Sequence, residues 1–422
     1  MRRACFSAVL AVLVAGPALA APKDDVARIV GSAAFKTAAA TLDAEHDRTV
    51  GDIVTLTEIP APPFKEAERA KAYRAMFEVH GLKDVEIDPA GNVMGLRKGT
   101  RVGPVVVVSA HLDTVFPEGT NVKVRRAGTK LYAPGVADDS RSLAVLLAWI
   151  RAMDTARIKT RSDILFVGTV GEEGAGDLRG VRYFFGQGKY KDRTKAFFSV
   201  DGIDPAHVTH VGVGSKRYRV TFKGPGGHSY GAFGIVNPMA AMGKAIADLY
   251  AIQPPVEPKV TYSASVTGGG TSVNTIPDKV FTEFDMRSAD AAELAKLEAQ
   301  FKAVIEGAVT AENQTRSTRL GAVSAELTPI GDRPAGNTQK DAAIVANTVA
   351  AITAFGYTPS FEASSTDANA PMAKGVPAIT IGSGGTGGRA HSTDEWIDVE
   401  KGPSVRGMTV GLAAILATAG VD

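Results

Sequence analysis

Residues able to bind a metal ion or move a proton fall at the ends of apolar runs in this chain. His111 and Asp113 follow Val105 to Val108, Glu172 and Glu173 follow Ile164 to Val170, Asp201 ends Ala196 to Val200, and His391 lies in a glycine-rich loop beyond Ala378 to Ile381. Short continuous apolar runs are expected of strands buried on both faces of a parallel sheet. The carboxyl edge of such a sheet is where ligands bind. Asp138 opens a helical pattern that begins near Asp139, so it faces the same crevice. Two imidazoles and several carboxylates converging there would repel and desolvate one another unless cations neutralised them. Nitrogen and oxygen donors without thiolate suit zinc, with cobalt and manganese as alternatives, and carboxylate-rich pairs suit two metals about 3.5–4 Å apart. One carboxylate must then bridge, and Asp138 is the candidate.

The residues beside these donors have expected roles. Asp113, two positions after His111, is placed to accept the second ring N–H and fix the tautomer. Asp139 reads as a helix N-cap. Of Glu172 and Glu173, one can bind metal while the other takes a proton from an attacking water and passes it to a leaving amine.

The elements that must hold these groups follow from periodicity and breakers. Residues 24–81 read as helices, interrupted where Ile59-Pro60-Ala61-Pro62-Pro63 forces an extended break. Val85 to Asp88 and Val93 to Leu96 flank the turn signal Pro89-Ala90-Gly91-Asn92 and read as a hairpin. Leu143, Leu146, Leu147, Ile150 and Met153 have helical spacing. Alternation of buried strands with helices argues for an α/β domain with a largely parallel sheet. Between residues 216 and 327 the texture changes to alternating strands, Tyr218 to Phe222 and Val280 to Met286, with helices at Pro238 to Tyr250 and Ala291 to Ala308. That order suits a small α+β unit, a split βαβ, ferredoxin-like sandwich, inserted into the first domain. The expected division is residues 21–215 with 328–422 as the di-metal domain, and 216–327 as the insertion.

Composition sets the outer limits. The chain has 422 residues, 45% hydrophobic and 22% charged, which suits two globular domains. Arg2-Arg3, the apolar run Ala8 to Ala15, Gly16-Pro17 and Ala18-Leu19-Ala20 read as a cleavable secretory signal over residues 1–20, implying a periplasmic or secreted protein. The apolar run is shorter than the ~20 residues of a spanning helix, so no stable membrane anchor is expected. Loss of Arg2 and Arg3 leaves 45 basic residues against 45 acidic ones, which removes any electrostatic case for nucleic acid. Cys5, the sole cysteine, lies inside the signal, which excludes thiol catalysis and cysteine-ligated zinc.

His111-Leu112-Asp113-Thr114, Gly135-Val136-Ala137-Asp138-Asp139, Gly171-Glu172-Glu173, Gly226-Gly227-His228-Ser229, Asn274-Thr275-Ile276-Pro277-Asp278 and His391-Ser392 resemble, in order and spacing, the M20 family of metallopeptidases and amidohydrolases. The resemblance covers essentially the whole mature chain. It implies two divalent metals, most simply zinc, with His111, Asp138 and Asp201 on one and Asp138, Glu173 and His391 on the other. It implies Glu172 as general acid/base and a catalytic domain interrupted by a dimerisation lid, hence a homodimer. From the lid, His228 would polarise the scissile carbonyl, Arg287 would pair with a substrate carboxylate, and Asn274 would help bind substrate. The implied substrates are peptides, cleaved by a carboxypeptidase, dipeptidase or tripeptidase, or N-acyl amino acids, cleaved by a deacylase. The chain departs from the family pattern at Ser140-Arg141, where many members carry Lys-Gly, and in the glycine-rich stretch Gly384 to Arg389. Both departures are expected to border the pocket.

Rival readings fare worse. Gly382 to Gly387 has dinucleotide-fingerprint spacing, but no apolar helix follows it. A serine hydrolase would need a Gly-x-Ser-x-Gly elbow after a strand, and none occurs. A non-catalytic metal- or solute-binding protein would have no use for a free carboxylate beside a ligand glutamate. His207 and His210 are expected in an exposed polar connection.

Overall fold

The computed structural model describes residues 22–421. The signal read over residues 1–20 lies outside them. Four helices, Pro22–Gly31, Ala33–Ala44, His46–Thr57 and Ala67–Val79, precede a hairpin of Lys83–Ile87 and Val93–Arg97. The break between the third and fourth helices contains Pro60, Pro62 and Pro63, which have no N–H to give to a helix.

The hairpin joins one edge of a nine-stranded sheet. At its centre Asp163–Thr169, Val105–His111, Thr194–Val200 and Ala378–Ile381 lie side by side and parallel. Alternation across the pleat sorts Val106, Val108 and Ala110 into a core under Arg141–Thr155, Lys401–Ala419 and the N-terminal helices. Val105 and Val107 fall in a core on the other face with Val181, Phe184 and Met372. Register sets His111 opposite Thr169 and Ile381 opposite Val200, so the segments after these strands leave the sheet at one edge.

The sheet as a whole is mixed, a correction to the largely parallel expectation. Val93–Arg97 and His207–Gly212 run antiparallel to their central neighbours. Only residues 201–206 separate Thr194–Val200 from His207–Gly212, too few for the crossover of a dozen or more that a parallel strand requires. His207 and His210 therefore sit on a strand, half-buried, and not in an exposed connection.

A second sheet has four antiparallel strands in the order Val260–Gly269, Lys279–Ser288, Gly214–Lys223, Ser324–Arg333. Helices Pro238–Tyr250 and Ala291–Thr315 cover one face, where Tyr218, Val220, Phe222, Phe284 and Met286 pack on Leu297, Phe301 and Ile305. The two strands expected from the sequence are its centre. Its edges carried no clear signal, because Val260–Gly269 is rich in Ser, Thr and Gly, and Ser324–Arg333 contains Pro329 and Gly331 at an irregular register. Among the described residues no helix is long and apolar enough to cross a membrane.

Candidate metal centre

Asp138 sits at the middle of the cleft, its two carboxylate oxygens facing different histidines. Oδ1 lies 2.8 Å from His111 Nε2 and Oδ2 lies 3.1 Å from His391 Nε2, which is also 2.9 Å from Glu173 Oε1. Donor atoms of Asp138, Glu173 and His391 lie within 4.8 Å of one another, as do those of His111, Asp139 and Asp201, and of His111, Glu172 and Glu173. Burial opposes ionisation of Asp138, but hydrogen bonds from His111 and His391 hold its carboxyl well below the usual range. Those bonds to Asp138 and Glu173 push the His391 ring up to about 10. Burial and then Asp138 push Asp201 up to about 7. Acids crowded this closely are poorly compensated by the two rings alone, and the N/O donor set, free of sulfur, fits divalent cations.

The turn bearing Asp138 is tied down from a distance. Glu395, fully buried, accepts the N–H groups of Gly135 (2.9 Å), Ala137 (2.7 Å) and Asp138 (2.9 Å). Gly135 itself has φ +75°, and a Cβ there would meet Thr114 Cγ2 at 2.7 Å, so only glycine suits this turn.

Three expectations need correction. The carboxylate of Asp113 does not hold His111; the backbone carbonyl of Asp113 does, 3.0 Å from Nδ1, while the nearest carboxylate contact is 3.7 Å. The carboxylate instead accepts the backbone N–H groups of Glu172 (3.0 Å) and Glu173 (2.9 Å), which position both glutamates. Asp139 is not the N-cap of Arg141–Thr155, a position held by Ser140: it is fully buried and its Oδ2 accepts the backbone N–H of His111 at 2.9 Å, clamping the strand end to the Asp138 turn. Arg141 turns into the core, where it donates to Ser404 Oγ at 2.9 Å, and it does not line the cleft.

The glycine-rich stretch before His391 answers to packing. Gly384 has φ +91°, and a Cβ there would fall 2.5 Å from the Gly407 carbonyl carbon in the C-terminal helix.

Glu172 has a partner that sequence reasoning missed. Arg333 is buried at the end of Ser324–Arg333 and donates to the Glu172 carbonyl at 2.6 Å, to Glu172 Oε1 at 3.4 Å and to Ser365 Oγ at 3.2 Å. Burial and then the neighbouring Glu173 push the Glu172 carboxyl well above its ordinary value, with Arg333 opposing. Asp367, also missed, is buried and accepts from Thr169 Oγ1 at 2.5 Å; burial pushes it up to about 6.

The cleft holds about 630 Å³ and is lined by Asp138, Glu172, Glu173, Asp201 and His391, by Arg217, Arg287 and Arg333, and by His207 and Glu362. Arg287 thus reaches the metal cleft. His228 and Asn274 do not line it. His228 is exposed on a short ribbon of Gly227–His228 paired with Thr275–Ile276, its Nδ1 accepting the Tyr230 and Gly231 N–H groups. Asn274 is exposed on the same ribbon, where its carbonyl accepts the Ser229 N–H at 2.9 Å.

A parallel core that gathers two imidazoles and a ring of carboxylates at its carboxyl edge places this chain among α/β proteins with a site able to hold divalent metal. The chain belongs to peptidase family M20/M25/M40, whose family model matches residues 107–416. It is similar to carboxypeptidase G2 of Pseudomonas sp. (strain RS-16), 31% identical over 180 residues that cover 41% of each chain. The matched segments span 36–64% of the lengths of the curated relatives. Its fold is similar to that of aminopeptidase PepT from Bacillus cereus, with a TM-score of 0.72, 21% identity and coverage of 89% of this chain and 99% of that one. It is also similar to that of Bacillus subtilis YXEP, described as a dinuclear metal binding peptidase of the M20 family, with a TM-score of 0.64, 19% identity and coverage of 89% and 99%.

Proposed function

We propose that the chain is an exported two-zinc exopeptidase, of the carboxypeptidase, dipeptidase or tripeptidase type, that hydrolyses a peptide amide bond. The observation that carries this reading is the arrangement about Asp138, whose two oxygens serve His111 and His391 separately while Glu172 is engaged by Arg333. Imidazole and carboxylate donors favour zinc, and cobalt or manganese would accept the same set. Two such ions would supply Lewis-acid polarisation of the scissile carbonyl and a more acidic water.

The chain's own residues supply the rest. Glu172, whose carboxyl is raised by burial, is suited to accept a proton from the attacking water and return it to the leaving amine. Asp113 holds the backbone of both glutamates, and its carbonyl takes His111 Nδ1, which turns Nε2 toward Asp138 where it would serve as a donor to metal. Arg287 takes the substrate's terminal carboxylate, which makes the enzyme an exopeptidase.

In this reading the insertion expected over residues 216–327, whose sheet runs from Gly214–Lys223 to Ser324–Arg333, forms a lid that pairs with a second copy about a two-fold axis, and the segments on either side of it form the catalytic unit. The exposure of His228 and Asn274 on one ribbon supports a role for both at the partner subunit's site, His228 polarising the carbonyl and Asn274 contacting substrate. Export rests on the signal read in residues 1–20, whose removal would leave Ala21 at the N-terminus.

The test is a screen of zinc-loaded protein against dipeptides, tripeptides, their C-terminal amides and N-acyl amino acids. Cleavage of free-acid peptides with loss on amidation supports the reading. Cleavage of N-acyl amino acids alone makes the chain a deacylase using the same site, and turnover of neither class sinks the proposal.

A further inference from the structure

The inserted sheet meets the metal cleft at the end of its edge strand, Ser324–Arg333. That strand is weakly held near its end. Pro329 brings no N–H to the ladder, the register slips between Pro329 and Gly331, and Pro334 follows Arg333 directly. Arg333, which donates to the Glu172 carbonyl and carboxylate, is therefore placed by whatever fixes the backbone just before it.

Asp332 is that residue, and three side chains hold it. Its N–H, on the outer side of an edge strand, goes to the Asp177 carboxylate, 2.9 Å from Oδ1 and 3.1 Å from Oδ2. Its carbonyl accepts from Arg182 Nη1 at 3.2 Å. Its carboxylate lies 2.8 Å from Lys216 Nζ, directly opposite in the register. Lys216 belongs to the inserted sheet itself, so only Asp177 and Arg182 tie the strand end to the catalytic unit. Arg182 Nη1 also donates to Asp177 Oδ2 at 2.5 Å, which fixes the carboxylate from the helix Arg179–Gln187.

Asp177 and Glu172 stand on one loop, between Asp163–Thr169 and Arg179–Gln187. The loop thus grips the strand end at two points, Glu172 on Arg333 and Asp177 on Asp332. The backbone at the second point is costly: Asp177 and Leu178 have φ of +53° and +58°, values that residues with a Cβ avoid. This turn seats Leu178 in the core, fully buried, and leaves the Asp177 carboxylate against the strand.

We propose that Asp177 is a positioning residue for Glu172, anchoring the strand end so that Arg333 meets the glutamate. Asp177 does not line the cleft, so it acts through Arg333 and not on substrate. The kinetic side of the proposal rests on reading Glu172 as the proton carrier of an exopeptidase. A hydrogen bond to a charged group is worth about tenfold or more in an equilibrium.

Kinetics on zinc-loaded protein give the first test. D177A is expected to lower kcat about tenfold with KM and metal content little changed, and D177N, which keeps an oxygen for the Asp332 N–H, to stay within about threefold of wild type. In an R333M background D177A should have no further effect, because the contact it works through is gone. Equal losses in the two backgrounds mark a general structural role and overturn the proposal, as do metal loss in D177A or an unchanged kcat. Amide hydrogen exchange gives a second test that needs no substrate. D177A should speed exchange about tenfold both at residues 331–333 and at residues 171–174. A rise confined to the strand end refutes the proposal even if no substrate is found. A rise at both segments, with no peptide turned over by the wild type, supports the tie and refutes the exopeptidase reading alone.

Discussion

Glu395 offers the sharpest test of how the Asp138 turn is held. Its buried carboxylate is the acceptor for three N–H groups, with Ala137 and Asp138 both on Oε1 and Gly135 on Oε2. Glu395→Ala orphans all three. A buried donor without a partner costs about 1–3 kcal/mol, and with water entering the space left behind the total should be about 3–5 kcal/mol, a large share of a typical stability. Glu395→Gln keeps an oxygen for Ala137 and Asp138 but turns an NH2 group against the Gly135 N–H, for about 1–3 kcal/mol. Because the same turn carries Asp138, zinc affinity should fall in the same order, wild type above Gln above Ala. Denaturant unfolding of the metal-free proteins followed by circular dichroism gives the stabilities, and a competitive zinc titration gives the affinities. A loss below about 1 kcal/mol in the alanine variant, or equal losses in the two variants, would refute the reasoning.

Two further outcomes follow from the site. Arg333→Met should lower kcat about 10- to 100-fold with metal content and KM little changed, because Arg333 holds Glu172 and no metal donor; metal loss measured by atomic emission would assign it a structural role instead. Mixing inactive His228→Ala with inactive Glu172→Ala subunits should restore roughly a quarter of wild-type activity, since half of randomly exchanged dimers are mixed and one of their two sites is intact. Mixtures that stay dead after subunit exchange is confirmed, or a monomer by light scattering, would exclude a shared site.

Much of this arrangement was legible in the sequence because polar residues stand out at the ends of strands buried on both faces. Val105–His111 and Asp163–Thr169 are buried along their whole lengths, so the groups that end or follow them mark the ligand edge. What was not legible depends on contacts between distant segments. Arg333 meets Glu172 across 161 positions and Glu395 meets Gly135 across 260, with no periodicity to announce either. Asp113 shows a subtler limit: spacing of two lets either its carbonyl or its carboxylate reach His111, and two N–H groups elsewhere draw the carboxylate away. Asp139 resembled a cap because it precedes a helix, yet burial beside His111 decides its role.

The central claim is that adjacent glutamates divide the work, Glu173 binding metal and Glu172 moving the proton. The structure makes this a real question, since the donor atoms of both lie within 4.8 Å of each other and of His111. The most direct measurement is metal content per chain by plasma emission, together with turnover, for Glu172→Gln and Glu173→Gln prepared alike. Glu172→Gln is expected to keep two ions per chain with almost no turnover, and Glu173→Gln to hold fewer than two ions. Metal loss in Glu172→Gln, or turnover within about tenfold of wild type in that variant, would contradict it.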